Sequence, residues 1–580
     1  MNCRASGNRL PLISHIIIRI SDTSRPSHPV LFGLVVIASV LPAGKAQFVQ
    51  QGIKLVGTGG VGVAQQGIGV ALSGDGNTAV VGGFGDNVQS GAVWVYTRSG
   101  GVWTQQGGKL VGTDSVGDAG QGQSVALSED GNTAIIGGPG DNGNAGAAWV
   151  FTRSSGVWAR QGRKLVGTGS IAGAGQGRSV ALSGDGNTAV VGGPGDRGNA
   201  GAAWVFTRSG GVWTQQGGKL VGTGAVGNAL QGSSVALSGD GNTVALGGLV
   251  DNGVEGQHGF YYGAGATWVF TRSGGVWTQQ GNKLIGTGAI GNADQGSSVA
   301  VSGDGNTVIV GGPFDNGGIG QFALSYGAGA AWVFTRSGGV WTQQGNKLTG
   351  LGAAGSADQG SSVALSGDGN TAVIGGPFDN GNIGAAWVYT RSDGVWAQLS
   401  NKLVGTGAIA VQGSLFGAFE GGSVAVSTDG NTAILGGDDD NNFVGAAWVF
   451  VNMPATTAKP AITSVVNAAG FTAGGAISAG SWVTIFGTGL APMGDSRTWN
   501  AATEIVNGIL PVATRPIPSR SPPHLFGCIR VHSRPRVFPA ASVTFPRRTS
   551  RTSPEDRASS RRPDGPPRDS GSAATSPVPR

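Results

Sequence analysis

The sequence predicts an all-β protein, a seven-bladed β-propeller with four antiparallel strands in each blade. A unit repeats seven times between Gln47 and Val451. Each unit holds four short apolar runs separated by Gly, Asp or Asn, which is the pattern of strands joined by tight turns. A repeat of this length with four strands fits a propeller blade, whereas one coil of a β-solenoid is roughly half as long or less.

The repeating unit is clearest from Gln176 to Thr223. Its apolar runs begin at Ser179, Thr188, Gly201 and Gly211. Asp185 and Gly186 lie between the first two runs, which is a strong hairpin signal because glycine tolerates a positive φ. We therefore expect strands 1 to 4 of each blade to follow one another in chain order.

Three sets of residues count the repeats. The turn aspartate recurs as Asp75, Asp130, Asp185, Asp240, Asp304, Asp368 and Asp429. The tryptophan of strand 3 recurs as Trp94, Trp149, Trp204, Trp268, Trp332, Trp387 and Trp448. The tryptophan of strand 4 recurs as Trp103, Trp158, Trp213, Trp277, Trp341 and Trp396. The repeats run near 48–102, 103–157, 158–212, 213–276, 277–340, 341–395 and 396–453, and the last has no fourth strand of its own.

The strand missing from the last repeat is expected at the start of the array. QFVQQGIKLVGTG from Gln47 aligns with VWTQQGGKLVGTG from Val212, and Phe48 occupies the tryptophan position. This segment then completes blade 7 and closes the ring, which removes the edges that an open array would expose. The propeller is predicted over residues 47–453.

The sizes of the side chains agree with this geometry. Strands 1 and 2 carry Ala, Gly, Ser and Val, which suit the crowded axis, and strands 3 and 4 carry the Trp and Phe that fill the wider rim. Strand 3 is apolar on both faces, with Ala203 on one and Trp204 on the other, as in a sheet between two neighbours. We expect all thirteen repeat tryptophans to be core residues.

Residues 1–46 have the pattern of a secretory signal peptide. Several arginines precede an apolar run from Val30 to Leu41, and small residues follow up to Ala46. The run is shorter than the roughly 20 residues of a membrane span. The mature chain is therefore predicted to be secreted or held in the cell envelope, with an uncleaved anchor as the alternative. Cys3 and Cys528 lie outside the repeats, so the propeller has no disulfide.

The net charge of +6 originates at the C-terminal end. From Arg515 to Arg580 there are 13 Arg against 4 acidic residues, so the rest of the chain sums to −3. Because the repeats themselves are not basic, we expect no nucleic-acid partner.

The character of the sequence changes after the repeats. Residues 454–511 hold strand-like runs at Ile462 to Val466 and Ser481 to Phe486, and they resemble the start of an IPT/TIG-type immunoglobulin-like domain. Such a sandwich needs about 80–100 residues. Residues 512–580 are instead rich in Pro, Arg and Ser, which predicts a disordered tail. The tail is either native or the product of a frameshift near Val512.

The repeat motif resembles that of a known family. Repeats of the form QGxSVALSGDGNTAVVGGP followed by GAAWVF are similar to those of the FG-GAP family, the seven-bladed propeller of integrin α subunits and of many secreted bacterial proteins. QG at Gln176 occupies the FG position, and GGP from Gly192 to Pro194 occupies the GAP position. The resemblance covers Gln47 to Val451 and implies an extracellular binding or adhesion role.

Metal and enzyme chemistry are not expected. Family members that bind calcium carry a D-x-D/N-x-D-G-x-x-D loop, because this cation needs several oxygen ligands. The four corresponding positions here are Ala181, Ser183, Asp185 and Ala189, so the SGDGNT loops are predicted to be structural turns without metal or cofactor. His258 is the only histidine of the repeats, which leaves no Ser/His/Asp triad or histidine metal cluster there.

Loop length varies on one side of the predicted ring. Because strand direction alternates, the 1–2 and 3–4 turns form one face, here called the turn face, and the 2–3 and 4–1 loops form the other, the loop face. Repeats 4 and 5 each add nine residues to the 2–3 loop, and repeat 7 adds six to its 4–1 loop near Leu415 to Phe419. Variable loops on one face of a rigid scaffold are typical of a binding surface.

The candidate contact residues lie in these loops. They are Phe260, Tyr261, Tyr262, Phe322 and Tyr326 in repeats 4 and 5, and Asp438, Asp439 and Asp440 in repeat 7. Asp440 also belongs to a series with one loop-face aspartate in each repeat, the others being Asp86, Asp141, Asp196, Asp251, Asp315 and Asp379. These aspartates are expected either to form Asx turns or to contact a ligand, directly or through a cation.

The sequence thus predicts a secreted, monomeric, non-catalytic scaffold whose loop face binds an extracellular protein or glycan. A lectin-like carbohydrate-binding module is one alternative. A polysaccharide hydrolase or lyase is another, and it would use loop-face carboxylates such as Asp439 and Asp440. A decaying member of an expanded family, without present function, is the third.

Overall fold

The computed structural model describes residues 47–171, 173–255, 261–319, 325–409 and 417–453, together with four strands of a second unit. Those strands are Ala461–Asn467, Trp482–Thr488, Ala513–Thr514 and Leu525–Arg530. The predicted signal peptide, residues 1–46, lies outside the described residues. The two units divide between Lys459 and Pro460, and each is described by itself.

The first unit is a seven-bladed β-propeller. It contains seven four-stranded antiparallel sheets. Six sheets are built from strands consecutive along the chain, and the seventh combines the N-terminal strand with the last three strands of the array. The predicted fold class is confirmed.

Strand 1 of each blade lies nearest the axis, where the first strands of neighbouring blades contact one another. These strands are Gln66–Leu72, Ser124–Leu127, Ser179–Leu182, Ser234–Leu237, Ser298–Val301, Ser362–Leu365 and Ser423–Val426. Their small side chains allow the close approach, and the Ser179 hydroxyl donates to the Gly232 carbonyl of the next blade at 2.8 Å.

Strand 2 forms a tight hairpin with strand 1. The second strands are Thr78–Gly83, Thr133–Gly138, Thr188–Gly193, Thr243–Gly248, Thr307–Gly312, Thr371–Gly376 and Thr432–Gly437. Leu182 pairs with Ala189 across the turn, and Gly186 has a φ of 67°. Glycine is needed there because residues with a Cβ rarely adopt this conformation.

Strand 3 carries the main core residue of each blade. The third strands are Ala92–Ser99, Ala147–Ser154, Ala202–Ser209, Ala266–Ser273, Ala330–Ser337, Ala385–Ser392 and Ala446–Met453. Trp204 is 0% exposed, and its indole N–H donates to the Thr168 carbonyl at 2.9 Å. A Cβ on Gly167 would lie 2.1 Å from the Trp204 ring, which explains why glycine precedes this threonine.

Strand 4 is shorter than the sequence predicts. The fourth strands of blades 1 to 6 are Val102–Gln105, Val157–Arg160, Val212–Gln215, Val276–Gln279, Val340–Gln343 and Val395–Gln398. Gly217, with a φ of 73°, interrupts the pairing before Leu220 rejoins the sheet opposite Ala203. The strand-4 tryptophans pack against the apolar clusters, as expected of core residues, but they are only partly buried.

The N-terminal strand closes the ring. Gln47–Gln50 pairs antiparallel with Ala446–Met453, and Phe48 lies opposite Asn452. Leu55 rejoins the same sheet opposite Ala447. The predicted closure of blade 7 by the first strand of the array is confirmed.

The core is divided into seven apolar clusters, one at each interface between neighbouring blades. At the interface of blades 3 and 4, Val205 of blade 3 and Trp268 of blade 4 belong to the same apolar cluster. The closing interface of blades 7 and 1 repeats this arrangement with Val449 and Trp94. Burial of one tryptophan contributes roughly 4–6 kcal/mol of gross transfer free energy, so stability is distributed around the ring.

The 2–3 loops take two forms. Five are single left-handed helical turns, in which the aspartate is followed by three residues of positive φ, at Asp86–Gln89, Asp141–Asn144, Asp196–Asn199, Asp379–Asn382 and Asp440–Phe443. Blades 4 and 5 instead extend hairpins, Val254–Glu255 with Tyr261–Tyr262 and Gly318–Ile319 with Ser325–Tyr326. In all seven blades the residue after the loop-face aspartate is left-handed, with φ between 50° and 56°. It is asparagine in six of them, the residue that adopts this conformation most readily after glycine.

A closed ring of backbone hydrogen bonds surrounds the axis at the turn face. It joins Gly74 to Glu129, Glu129 to Gly184, Gly184 to Gly239, Asp240 to Gly303, Gly303 to Gly367, Gly367 to Thr428 and Thr428 to Gly74, over 2.8–3.3 Å. Since the last bond returns to blade 1, all seven blades are tied together at this end of the axis.

The described strands of the second unit form one antiparallel sheet, in the order Ala461–Asn467, Trp482–Thr488, Leu525–Arg530, Ala513–Thr514. The first two contain the predicted strand-like runs. The other two fall within 512–580, where the composition predicts disorder, and the apolar stretch LFGCIR accounts for the longer of them. Across the described part of both units, no helix is long and apolar enough to cross a bilayer.

Candidate functional site

The turn face carries most of the exposed charge. Each 1–2 turn presents the exposed aspartate of its SGDGNT or related loop. In blades 1 to 6 the last residue but one of strand 3 is an arginine, namely Arg98, Arg153, Arg208, Arg272, Arg336 and Arg391. Both sets are held by hydrogen bonds within the fold.

The turn-face aspartates complete their own hairpins. Asp185 Oδ1 accepts from the Ser183 hydroxyl at 2.5 Å and from the Asn187 backbone N–H at 2.9 Å. Burial alone would raise the pKa of Asp185, but the hydrogen bonds from Ser183 and Asn187 outweigh it, so the pKa lies below its usual value. Within the described residues, no group of three or more His, Cys, Asp or Glu side chains could hold a metal ion.

The turn-face arginines join neighbouring blades. Arg208 donates from Nε to Asn187 Oδ1 at 2.9 Å and from Nη1 to Gln161 Oε1, in blade 2, at 3.1 Å. Its guanidinium lies 5.4 Å from the centre of the Trp213 ring, and the Trp213 indole also donates to Gln161. The strand-4 tryptophans are thus covered by arginine and are not free platforms for sugar rings.

On the loop face, each 2–3 aspartate is a buried clamp. Asp196 is 1% exposed, and it accepts from Lys219 Nζ at 2.5 Å and from the Ile171 backbone N–H at 2.8 Å. The same lysine–aspartate pair occurs in every blade, as Lys54–Asp440, Lys109–Asp86, Lys164–Asp141, Lys219–Asp196, Lys283–Asp251, Lys347–Asp315 and Lys402–Asp379.

The hydrogen bonds of these clamps are long-range and differ from the local Asx turns that the sequence predicts for these aspartates. The bonding partners of Asp196 lie 25 residues before it and 23 residues after it, so the bonds link the entering 4–1 loop and the strand-4 extension to the 2–3 loop. A signal for these lysine–aspartate pairs exists in the sequence, because each of the seven copies has a KL segment and its lysine is the clamp residue. Sequence reasoning missed it because lysine usually marks a solvated surface position.

The aromatic candidates divide between described and undescribed residues. Tyr261 and Tyr262 lie in the second strand of the blade 4 hairpin, and Tyr326 lies in that of the blade 5 hairpin. Phe260 and Phe322 lie outside the described residues, as does most of the repeat 7 insertion, residues 410–416. The two hairpins extend from neighbouring blades on the same face, as the sequence predicts.

A buried aspartate anchors each hairpin base. Asp294 is 1% exposed, and its Oδ1 accepts from the Gly263 N–H at 2.9 Å while its own N–H donates to the Gly263 carbonyl at 3.0 Å. Asp358 is bonded to Gly327 in the same way in the next blade. Among the seven repeats, aspartate precedes the repeat glutamine or glutamate of the 4–1 loop only at Asp294 and Asp358. These two 4–1 loops follow the blades with long 2–3 loops, so the aspartate occurs only where there is a hairpin to anchor.

These anchors have strongly raised pKa values. Burial raises the pKa of Asp294 to about 7, and the hydrogen bond from Gly263 only partly opposes it. Burial likewise raises the pKa of Asp358 to about 7, against the bond from Gly327. Both carboxyl groups therefore change charge near neutral pH.

The hairpin bases are expected to loosen as the pH rises. The folded pKa of Asp294 exceeds the ordinary value of 3.8, so the anchoring is complete below pH about 4 and is lost as the pH approaches 7. Hydrogen exchange at Gly263, corrected for its intrinsic pH dependence, should accelerate about tenfold per pH unit between pH 5 and 7. Asp294→Asn keeps an acceptor and should give a flat profile there, while Gly327 in blade 5 keeps the wild-type profile. Equal slopes at Gly263 in both proteins would contradict the assignment.

The three candidate aspartates of blade 7 do not form one site with the aromatic hairpins. Asp440 is 0% exposed, and both its oxygens are bonded, to Lys54 and to the Ile409 N–H. A ligand could reach it only by breaking the clamp. Blade 6 separates these residues from the blade 5 hairpin, and blades 5 and 6 separate them from that of blade 4.

Asp438 and Asp439 are the remaining acidic pair on the loop face. Burial, with a contribution from Asp439, raises the pKa of Asp438 to about 7. Burial raises the pKa of Asp439 to about 6, and a hydrogen bond from Gln65 opposes it. Asp439 is 5% exposed, whereas Asp438 is only partly buried, so Asp438 is the more accessible member of the pair.

Comparison with known proteins assigns no family to the chain. No protein-family profile matches it, and a search of curated proteins gives no match. The resemblance to the FG-GAP repeats therefore rests on the repeat motif itself, with the seven-bladed ring as the coarser feature that the structure supports.

Proposed function

We propose that the protein is a secreted, non-catalytic binding or adhesion scaffold of the FG-GAP type, whose loop face engages a partner outside the cell. The leader-like residues 1–46 support export. The seven-bladed ring supports a rigid platform. A fold alone implies no reaction, so the proposal depends on how the two faces differ.

The observation that carries the proposal is the pair of anchored hairpins on one face. Blades 4 and 5 replace the helical turn of the other blades with hairpins that extend from neighbouring positions. Asp294 and Asp358 fix their bases from the following 4–1 loops. Fixed loops lose less conformational entropy on binding than free ones, which favours a recognition role.

The lectin-like alternative has one observation in its favour, the tyrosines of these hairpins. Of the side chains whose exposure is described, no Phe, Tyr or Trp is among the exposed large apolar residues. A sugar would therefore have to stack on an aromatic residue outside that set, and the hairpin residues Tyr261, Tyr262 and Tyr326 are the candidates. Binding of defined oligosaccharides that is lost in a Tyr261→Ser/Tyr262→Ser variant would favour this alternative.

A loop exchange within the chain tests the proposed function. Residues 252–264 of blade 4 are replaced by the four-residue loop 197–200 of blade 3, which removes the nine added residues and keeps the flanking Asp251 and Gly265. Because Asp294 would lose its bond to Gly263, it is changed at the same time to leucine, the residue of the matching position, Leu230. We then expect an unchanged melting temperature and a loss of binding to the envelope of the cells that produce the protein. Exchange of the blade 3 loop 197–200 for the blade 2 loop 142–145, which changes only Arg197 to asparagine, serves as the control. Full binding by the blade 4 variant would contradict the proposal.

A further inference from the structure

The loop face carries a ring of exposed aliphatic side chains that the candidate residues do not include. Each lies at the same position of a 4–1 loop, and each is 49–56% exposed. The six residues, here called the aliphatic crown, are Val61, Val116, Ile171, Val226, Ile290 and Ile409. The remaining repeat, the sixth, has Ala354 at this position.

The clamps described above hold the crown residues in place. The Val226 N–H donates to Asp251 Oδ1 at 2.8 Å, and its carbonyl accepts from the Asn252 N–H at 2.9 Å. Asp251 is itself 0% exposed and paired with Lys283. The backbone of each crown residue is therefore fixed from the buried side while its side chain faces solvent. A fixed contact residue loses little conformational entropy when it binds.

The surroundings of the crown carry little free charge. The lysines and aspartates of the clamps neutralise one another in every blade. In the described part of the loop face, the exposed charged residues without an ion-pair partner are Asp118, Arg163, Arg178 and Arg197. The turn face, by contrast, presents an exposed aspartate in every blade. Depletion of charge is a feature of the buried centre of protein interfaces.

We infer that the aliphatic crown contacts an uncharged, apolar surface of a protein partner. This inference deepens the proposed function by naming the chemistry of the partner on the same face. An uncharged partner surface suits this face because the lysines and aspartates of the clamps are already paired within the protein, so few charges would need a partner on binding. A polysaccharide would offer hydroxyl groups to aliphatic side chains that cannot hydrogen-bond to them.

Single exposed aliphatic residues are common on protein surfaces, so the crown needs a matched comparison. The chain supplies one at the turn-face edge of strand 4, where each valine is 63–69% exposed. These valines are Val102, Val157, Val212, Val276, Val340 and Val395. They have the same chemistry and greater exposure, but each lies beside the arginine-covered tryptophan of its strand.

The test compares two triple variants of the full chain. Val116→Ser/Val226→Ser/Ile290→Ser changes the crown, and Val157→Ser/Val212→Ser/Val276→Ser changes the turn-face edge. Binding to intact producing cells is titrated at about 0.05 and 0.5 M NaCl, salt concentrations at which screening differs strongly. A photo-crosslinking phenylalanine at Val226 or at Val212 then identifies the contacted molecule by mass spectrometry.

We expect the crown variant to bind at least ~10-fold more weakly and the edge variant to bind within ~2-fold of wild type. Wild-type binding should change less than ~2-fold with salt. Crosslinks from Val226 should reach an uncharged, apolar protein segment. Equal losses in both variants, a steep salt dependence, or crosslinks to glycan or to a second copy of this chain would overturn the inference. If the loop exchange in blade 4 abolishes binding while the crown variant binds normally, the proposed function stands and the crown inference fails. If the wild type does not bind, both fail.

Discussion

Phe48→Ala is expected to lower the free energy of unfolding by about 3–5 kcal/mol, the usual cost of removing a buried aromatic side chain. Phe48 is 4% exposed and lies in the apolar cluster between blades 6 and 7. The N-terminal strand is held by only four paired residues, opposite Ala446–Met453. Loss of the Phe48 phenyl group therefore weakens both the interface of blades 6 and 7 and the closure of the propeller.

The same strand supplies the control. Val49 follows Phe48 and is 46% exposed, so Val49→Ala should change the free energy of unfolding by less than about 0.5 kcal/mol. Chemical denaturation followed by tryptophan fluorescence measures both variants. If the two substitutions have equal effects, the N-terminal strand does not complete blade 7 in solution.

The seam that Phe48 fills differs from the other six. Elsewhere an arginine, a tryptophan and a glutamine of the preceding blade meet, as do Arg208, Trp213 and Gln161. At the seam of blades 6 and 7 the three positions hold Asn452, Phe48 and Leu399, and Leu399 packs against the cluster that contains Phe48. The tryptophan–glutamine hydrogen bond of the other seams is thus replaced by apolar packing of Phe48 and Leu399, while Asn452 donates to Asn431.

The fold could be predicted because the same pattern of strands and turns occurs seven times in the sequence. A single copy of SVALSGDGNTAVVGG predicts a hairpin, and seven copies with Trp204 and its equivalents at fixed positions predict identical blades. The closure followed from one alignment, in which Phe48 takes the place of a tryptophan. In each case the information is local or periodic, and sequence patterns report such information well.

The loop-face chemistry could not be predicted in the same way. The partners of Asp196 are a lysine 23 residues later and a backbone N–H 25 residues earlier. Only the folded sheet brings these groups together, because strand 4 returns beside strand 3 while the 4–1 loop enters from the previous blade. The exposed crown was missed for the same reason, since Val226 in the sequence is one of many apolar residues.

Glu420 is the clearest departure from the repeat and leads to a second large expected effect. The other six repeats have glutamine at this position, namely Gln66, Gln121, Gln176, Gln231, Gln295 and Gln359. Gln176 accepts from the Gly167 N–H at 2.6 Å and donates to the Gly167 carbonyl at 3.1 Å. Glu420 accepts from the Gly405 N–H at 2.5 Å, but its Oε1 is buried without a hydrogen-bond partner. A carboxylate cannot supply the second bond, because it has no proton to donate.

This environment keeps Glu420 protonated at neutral pH. Burial raises the pKa of Glu420 to about 8, and the nearby negative charge of Asp440 adds to this shift. The hydrogen bond from Gly405 and the positive charge of Lys54 only partly oppose it. The folded pKa lies above the ordinary value of 4.5. Below pH 4.5 the group is protonated in both the folded and the unfolded chain, so its titration does not lower the free energy of unfolding there. Stability is then lost as the pH rises toward 8, because the unfolded chain releases the proton first. At about 1.4 kcal/mol per pKa unit, the loss by pH 8 is on the order of 4 kcal/mol.

Glu420→Gln is therefore expected to stabilise the propeller, by little at pH 4.5 and by roughly 3–5 kcal/mol at pH 8. The amide keeps a donor for the Gly405 carbonyl at every pH, whereas the carboxyl group loses its donor when it ionises, and the amide removes the titrating group. Gln176→Glu should do the reverse, creating at the interface of blades 2 and 3 the pH-dependent loss that Glu420 causes at that of blades 6 and 7. Urea denaturation at pH 4.5, 6 and 8 measures both variants against wild type. A pH-independent difference between Glu420→Gln and wild type would show that Glu420 is ionised in the native protein, with Lys54 rather than a proton balancing its charge.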